Sequence, residues 1–323
     1  MQTQINAIVV ADSQNIQGDR ITTMLVTFPR FILAELNTHR MFSKNSASSR
    51  AIPFKTMLEN VQNNPFVPIA FQKEHKGMQG SEYCTSDLEI EANKTIWLRA
   101  RDKAVQEAIN LNQECNVTKQ LCNRLLEPFM WHTVLITATE WENFFALRCP
   151  NYGEGFRSKK DYAFDLSIGT EENYWDSWTD LDWLKANKGQ SEIHMMALAE
   201  AMWDAMNEST PKQLQPEEWH IPFEDKIEVP EKSIADWSMY KIKVSTAMCA
   251  RTSYTVVGDE KEFTHTKQLE LFDKLATSNH LSPFEHCAKA MTEEEYYTEL
   301  NWSKNFRGFI QYRKILENGI NRN

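Results

Sequence analysis

Apolar and polar positions alternate differently along the chain, and the changes of period mark its elements. Over residues 6 to 28, "AIVVAD" and "RITTMLVTF" predict two strands joined by the polar turn "SQNIQGD". "RFILAELNTHR" then shows helical spacing of its apolar positions. The longest amphipathic stretch covers residues 90 to 126, and the break "ECNV" within it predicts two helices. "TATEWENFFALR" predicts a helix of about three turns ending at Arg148, and "SEIHMMALAEAMWDAMNES" another. Between them, residues 149 to 189 are polar, aromatic and broken by glycine, the pattern of an insertion or lid-like excursion. The proline-bearing residues 210 to 235 read as an irregular connector. Beyond it, "YKIKVSTAMCARTSYT" looks like a strand, "THTKQLELFDKLATS" a helix, "NHLSPFEH" a turn, and "FRGFIQYRKILE" a helix. The fold class is α+β, a mixed α/β arrangement with a central sheet flanked by long helices.

Composition narrows the functional classes. The 323 residues include 35 Lys and Arg against 45 Asp and Glu, a net charge of −10. That balance argues against tracking duplex nucleic acid, which needs a basic face, but leaves room for a small anion in a local arginine pocket. No apolar run has bilayer length, and the N-terminus lacks the basic region of a signal peptide, so a cytoplasmic protein without membrane contact is expected. The six cysteines show no C-x-x-C pair and no metal-ligand spacing, so reduced thiols and no metal site are expected. Cys149, beside Arg148, reads either as a reactive thiol or as a half-buried one.

The densest chemistry lies in "THRMFSKNSASSR", residues 38 to 50, directly after an apolar segment. It resembles the signature of the flavin-dependent thymidylate synthases, R-H-R-x-x-S-x-N-E-x-S-x-R-Y. His39, Arg40, Ser43, Asn45, Ser48 and Arg50 match in register, while Thr38, Ser46 and Ala51 replace the first arginine, the glutamate and the tyrosine. A second stretch, "AMCARTSYTVVGDEKEFTHTKQLELFDKLATSNHLSPFEH", is similar to the amino-terminal part of the same family but stands at residues 247 to 286. Between them, "NRLLEP" and "TATEWENFFALR" resemble the family's nucleotide-gripping helix pair, and "SEIHMMALAEAM" its closing helix. The order is that of a circular permutation, which a fold tolerates when its termini lie close together at the surface. Permuted relatives of this kind resemble bacteriophage proteins. One permuted domain over 1–323 is therefore expected: 1–148 the signature and helical part, 149–189 an insertion, 190–209 a core helix, 210–235 a connector, and 236–323 the equivalent of the family's amino-terminal part.

The resemblance implies an enzyme that moves a one-carbon unit from methylenetetrahydrofolate to C5 of dUMP, with FAD as the hydride source and NADPH as reductant. Ser48, Arg50, Arg124 and Arg148 would hold dUMP, an arginine task for a planar, dianionic ligand. Arg148 would also be catalytic, stabilising negative charge on the uracil ring. FAD would fall to His39, Arg40, Ser43, Asn45, Ser253, His280, Ser282 and Glu285. It also implies a homotetramer with a small-molecule nucleotide as its partner.

Without the resemblance, the same residues have ordinary readings. His39 is a helix-end histidine, Ser43 and Ser48 are turn residues, and Arg124 and Arg148 complement helix dipoles. Arg307, Gln311 and Arg313, placed on one predicted helix with the first two on one face, are possible compensation for Thr38 and Ser46. The departures leave open two alternatives. One keeps the scaffold but hydroxymethylates the pyrimidine or accepts dCMP, and the other is a non-catalytic nucleotide- or flavin-binding relative.

Overall fold

The computed structural model describes residues 5–77, 80–153, 155–162, 178–228, 234–252 and 264–320. The first two strands, β1 (Asn6–Asn15) and β2 (Arg20–Pro29), pair antiparallel with a bulge between Val9 and Ala11. They run further than the sequence predicts, leaving only residues 16–19 as the turn. The Asn15 carboxamide closes that turn by accepting from the backbone N–H of Gln17 at 3.1 Å and of Asp19 at 2.8 Å. Next come β3 (Ser43–Ser46), α1 (Phe54–Asn63), α2 (Asp87–Gln113) and β4 (Trp131–Ala138). The helix predicted after "ECNV" shrinks to one turn, Lys119–Cys122, and a 3-10 stretch, Asn123–Phe129, because Pro128 cannot continue an α-helix. "RFILAELNTHR" likewise forms only a 3-10 turn and a single α-turn, Leu33–Leu36.

Thr137 and Ala138 belong to β4, so the helix that ends at Arg148, α3 (Glu142–Arg148), has two turns and not three. The strand wins here because Thr137 is paired on both sides, with Thr23 and with Ser43. Then follow α4 (Ile193–Glu208), β5 (Lys212–Leu214) and β6 (Trp219–His220). The main sheet has the order β3-β4-β2-β1-β5, with β5 parallel to β1.

Its two faces differ. Met24, Val26, Phe28, Val134, Ile136 and Ala138 make one face apolar and pack on Met195, Leu198, Ala199 and Met202 of α4 and on Phe144 and Phe145 of α3. Each fully buried side chain of this size contributes roughly 1.5–3 kcal/mol. The opposite face carries Thr23, Leu25, Thr133, Leu135, Thr137, Ser43 and Asn45, and the carboxyl-terminal third covers it.

That covering layer departs most from the sequence pattern. "YKIKVSTAMC" is not a strand but lies within α5 (Trp237–Ala250), capped by the Asp236 carboxylate accepting from the Met239 N–H at 2.9 Å. The helix lies between the sheet and α6 (His265–Thr277) and is buried around much of its circumference. It therefore lacks a polar stripe, and its alternating Tyr, Ile and Val imitate a strand. Beyond the 3-10 turn Ser282–Glu285 come β7 (Ala288–Ala290), the ribbon of β8 (Trp302–Ser303) with β9 (Phe306–Arg307), β10 (Phe309–Gln311) and α7 (Tyr312–Ile320). β10, β7 and β6 form a second sheet. Arg307 and Gln311 thus lie on separate strands and share no helix face. Gly308 breaks the expected helix with φ +72°, and a Cβ there would meet the Asn15 and Asp19 side chains.

Part of the 149–189 stretch packs as a small core: Tyr152 and Trp183 are buried edge to face, 5.1 Å apart. Replacing Leu198, which is fully buried beneath the apolar face, with alanine should lower unfolding free energy by about 2–5 kcal/mol, read from urea denaturation.

Candidate functional site

The signature stretch leaves the helical turn at Leu36 and folds back as β3 on the edge of the main sheet. His39, 9% exposed, sits where the chain reverses, stacked on Phe42 and edge-on to Phe144. Arg148, the last residue of α3, donates from Nε to His39 Nε2 at 3.0 Å. Its other nitrogens reach the Ser191 and Thr38 hydroxyls at 3.4 Å. The ring must therefore be neutral, and burial first, then the Arg148 and Lys44 charges, lower its pKa to about 4. Arg148 thus keeps its charge without a carboxylate partner among the described residues. Cys149 next to it is buried, which pushes its thiol far up and leaves it unreactive.

Ser43 and Asn45 point to the polar face and are taken up by the carboxyl-terminal layer. Ser43 Oγ accepts from Asn305 Nδ2 at 3.0 Å and Gln311 Nε2 at 3.4 Å, and Asn45 Nδ2 donates to the Cys249 carbonyl at 3.2 Å. The two ends of the chain therefore meet within one molecule. Beside them runs a buried chain of side chains from Ser13 through His220, Thr23 and Thr137 to His286, with links of 2.7–2.9 Å. His286 thus ties its turn to β4 of the main sheet. Burial lowers the pKa of both histidines to about 3.

Ser48 and Arg50 lie exposed on the loop after β3, and Arg50 Nε donates to Gln120 Oε1 at 3.1 Å. Asn123 Nδ2 ties that loop down through the Ser49 carbonyl at 2.8 Å, and the next residue, Arg124, is exposed and 3.7 Å from Glu127. Below the loop opens a cavity of about 340 Å³ between β2, β4 and α1. Its lining includes Ser49, Ile52, Met57, Asn60, Phe129, Arg30 and His132. Arg30 Nη1 and the Ser46 hydroxyl both donate to His132 Nε2, at 2.9 and 2.7 Å. His132, buried and beside that guanidinium, is held neutral with a pKa of about 3.

The remaining sequence candidates divide. Arg40 and Ser282 are exposed, and His280, also exposed, bonds through Nδ1 to Ser278 Oγ at 3.2 Å. Glu285 pairs with Arg313, which also holds Glu317 at 2.7 Å. Arg307 turns elsewhere, to Asp19 at 3.1 Å and Glu140 at 3.8 Å. Ser253 lies outside the described residues. Among those described, no three His, Cys, Asp or Glu side chains group as metal ligands, and no helix is long and apolar enough to cross a membrane. Sequence reasoning gave no role to Arg30, His220 and Asn305 and read His132 only as a core or helix-face residue, because their partners lie far away in the chain. The only local hint was Arg30 following Pro29 at the end of a strand.

Since His39, His132, His220 and His286 are neutral when folded, the unfolded chain binds more protons between about pH 6.5 and the folded values of about 4, 3, 3 and 3. Their contribution to stability is complete above about pH 6.5 and falls as pH drops toward 3. Urea midpoints measured downward from about pH 7.5 should decline, and His132→Asn, an acceptor that does not titrate, should flatten the decline.

No family model matches the chain, and a search of curated proteins finds no match. Among solved structures, it is similar to the UMP/dUMP methylase PolB of Streptomyces cacaoi bound with 5-Br UMP. The identity is 15%, with 64% of this chain and 89% of that one covered and a TM-score of 0.44. The same methylase with 5-Br dUMP gives 14% identity, 64% and 91% coverage, and a TM-score of 0.43. Thymidylate Synthase X from Helicobacter pylori with FAD and dUMP gives 15% identity, 51% and 71% coverage, and a TM-score of 0.25.

Proposed function

We propose that the protein is a circularly permuted, FAD-dependent thymidylate-synthase-like enzyme, acting at C5 of dUMP with methylenetetrahydrofolate as carbon donor. The observation that carries this reading is the meeting of the signature stretch with the carboxyl-terminal stretch that resembles the same family, Asn45 donating to the Cys249 carbonyl. Two separated stretches that resemble one family's site are of use only if they share a place in space. A cytoplasmic homotetramer of bacteriophage type, with NADPH as reductant, completes the proposal.

The residues fit a flavin. FAD presents hydroxyl and N–H donors, and Glu35 Oε2 and Gln311 Oε1 are buried acceptors with no partner among the described residues. Arg40, His280 and Ser282 are exposed and have donors to offer, while Ser43, Asn45 and Glu285 hold the surrounding frame. When bound, reduced FAD supplies the hydride and the folate supplies the carbon.

The chain's own part is to bind and to place charge. Arg50 and Arg124, on adjoining segments tied by Asn123, hold the phosphate with Ser48. Arg148, fixed by a neutral acceptor and two hydroxyls, presents an uncompensated cation where negative charge gathers on the ring. Thr38 takes the place of the family's first arginine as one of those hydroxyls, so this site holds one guanidinium where the family pattern has two.

The purified protein should be yellow or take up FAD, and should convert dUMP with labelled methylenetetrahydrofolate to a C5-substituted product, read by mass spectrometry. A colourless protein that refuses FAD ends the proposal. Arg148→Ala should cut turnover about a hundred-fold or more while leaving the circular dichroism spectrum unchanged.

A further inference from the structure

The excursion that begins just after Arg148 is clasped where it leaves and rejoins the chain, and Asn187 makes the clasp. Its carboxamide oxygen accepts from the backbone N–H of Asn151 at 2.8 Å and of Gly189 at 2.7 Å. Its Nδ2 donates to Met196 Sδ on α4 at 3.0 Å. Beside it, the Lys188 N–H donates to the Asn151 carbonyl at 2.7 Å. Gly189 permits the close approach, because a Cβ there would stand 2.9 Å from Asn187 Oδ1 and Met196 Sδ and 3.2 Å from the Pro150 Cα. The residues just after Arg148 are thereby fastened to those just before Ser191.

This fastening bears on the Arg148 guanidinium. His39 accepts only from Nε, and one bond leaves the guanidinium plane free to turn about it. The Ser191 hydroxyl on Nη1 and the Thr38 hydroxyl on Nη2, both at 3.4 Å, oppose that turn. Thr38 lies exposed, where water competes for the same donor, whereas the Ser191 contact is partly buried. Ser191 is therefore the stronger restraint of the two, and the clasp fixes where Ser191 stands.

We propose that the base of the 149–189 excursion belongs to the catalytic apparatus, with Asn187 clasping its ends so that the Ser191 hydroxyl holds the Arg148 guanidinium at its working angle. Both are positioning residues, which touch no substrate atom and act through Arg148. This rests on the reading of Arg148 given above and deepens it. A cation stabilises charge developing on a ring only when it is already aimed, because turning it during the reaction costs part of what it contributes. A hydroxyl supplies that aim without the negative charge that would cancel the field.

Turnover of dUMP by the full-length, FAD-loaded protein tests this, together with solvent exchange of the Arg148 Nε–H followed by NMR. Ser191→Ala should lower kcat about ten-fold, the lower end of what a hydrogen bond to a charged group supplies, with KM for dUMP and the urea midpoint unchanged. Ser191→Thr, which keeps the hydroxyl, should restore most of the rate. Asn187→Ala should slow turnover to a similar degree. Both alanine variants should speed exchange of the Arg148 Nε–H, a readout that needs neither cofactor nor substrate. In an Arg148→Ala background, Ser191→Ala should cost nothing further, whereas a residue that only supports the fold would cost the same in either background. If either alanine variant keeps the full rate or leaves the exchange unchanged, or if Ser191→Ala costs as much without Arg148 as with it, the proposal falls while the reading of Arg148 stands. If the native protein neither takes up FAD nor converts dUMP, both fall.

Discussion

The polar face of the main sheet is the constraint on which the molecule is built. Thr23, Thr137, Ser13, Ser43 and Asn45 are all buried there. A buried hydroxyl or amide left without a partner costs about 1–3 kcal/mol, so this face has to be answered group by group. The answers come from elsewhere in the chain: His220 from the connector, Cys249 from α5, His286 from the turn, Asn305 from the bend between β8 and β9, and Gln311 from β10. An apolar cover of similar volume would bury the same surface and fail to satisfy these groups. The union of head and tail is therefore specified by hydrogen bonding, while the opposite face rests on α4 through packing, with Arg20 donating to the Met206 carbonyl at the end of that helix.

The same economy shapes the charges. Neutral histidines serve as acceptors for Arg148 and for Arg30; Arg148 has no carboxylate partner among the described residues, whereas Arg30 also reaches Glu127 at 3.5 Å. A carboxylate in that place would hold the arginine more tightly but cancel the field it projects. At Arg148, an imidazole kept neutral by burial orients the cation and leaves its charge available. Both pairs stand next to the signature stretch, one at each of its ends.

What the sequence revealed depended on whether the relevant partners were local. The first two strands and α4 follow from short-range periodicity, because each has one face against a single apolar layer. The strand-like reading of α5 failed because a helix buried on most sides carries no polar stripe to reveal its period. The helix expected over residues 306–317 begins only at Tyr312, because Gly308 is needed for a close approach to Asn15 and Asp19, which no local pattern reports. Of the candidate site residues, His39 and Arg148 emerge as a bonded pair, and Ser43 meets Gln311. Arg30 and His132 stayed hidden because their meaning lies in each other, 102 positions apart.

The strands that need covering are made early in synthesis and their cover is made late. While the ribosome is still extending the chain, β1, β2 and β4 can pair and settle on α4, but Thr23 and Thr137 face solvent until the last residues emerge. Contacts of such long sequence separation close slowly, because the entropy of the intervening loop is lost before they are gained. A chain that folded in the order of its synthesis would thus hold a half-sheet with one wet side until the cover arrived. That side mixes Thr23 and Thr137 with Leu25 and Leu135, so water solvates its hydroxyls while its leucines depend on the late cover to be kept from self-association.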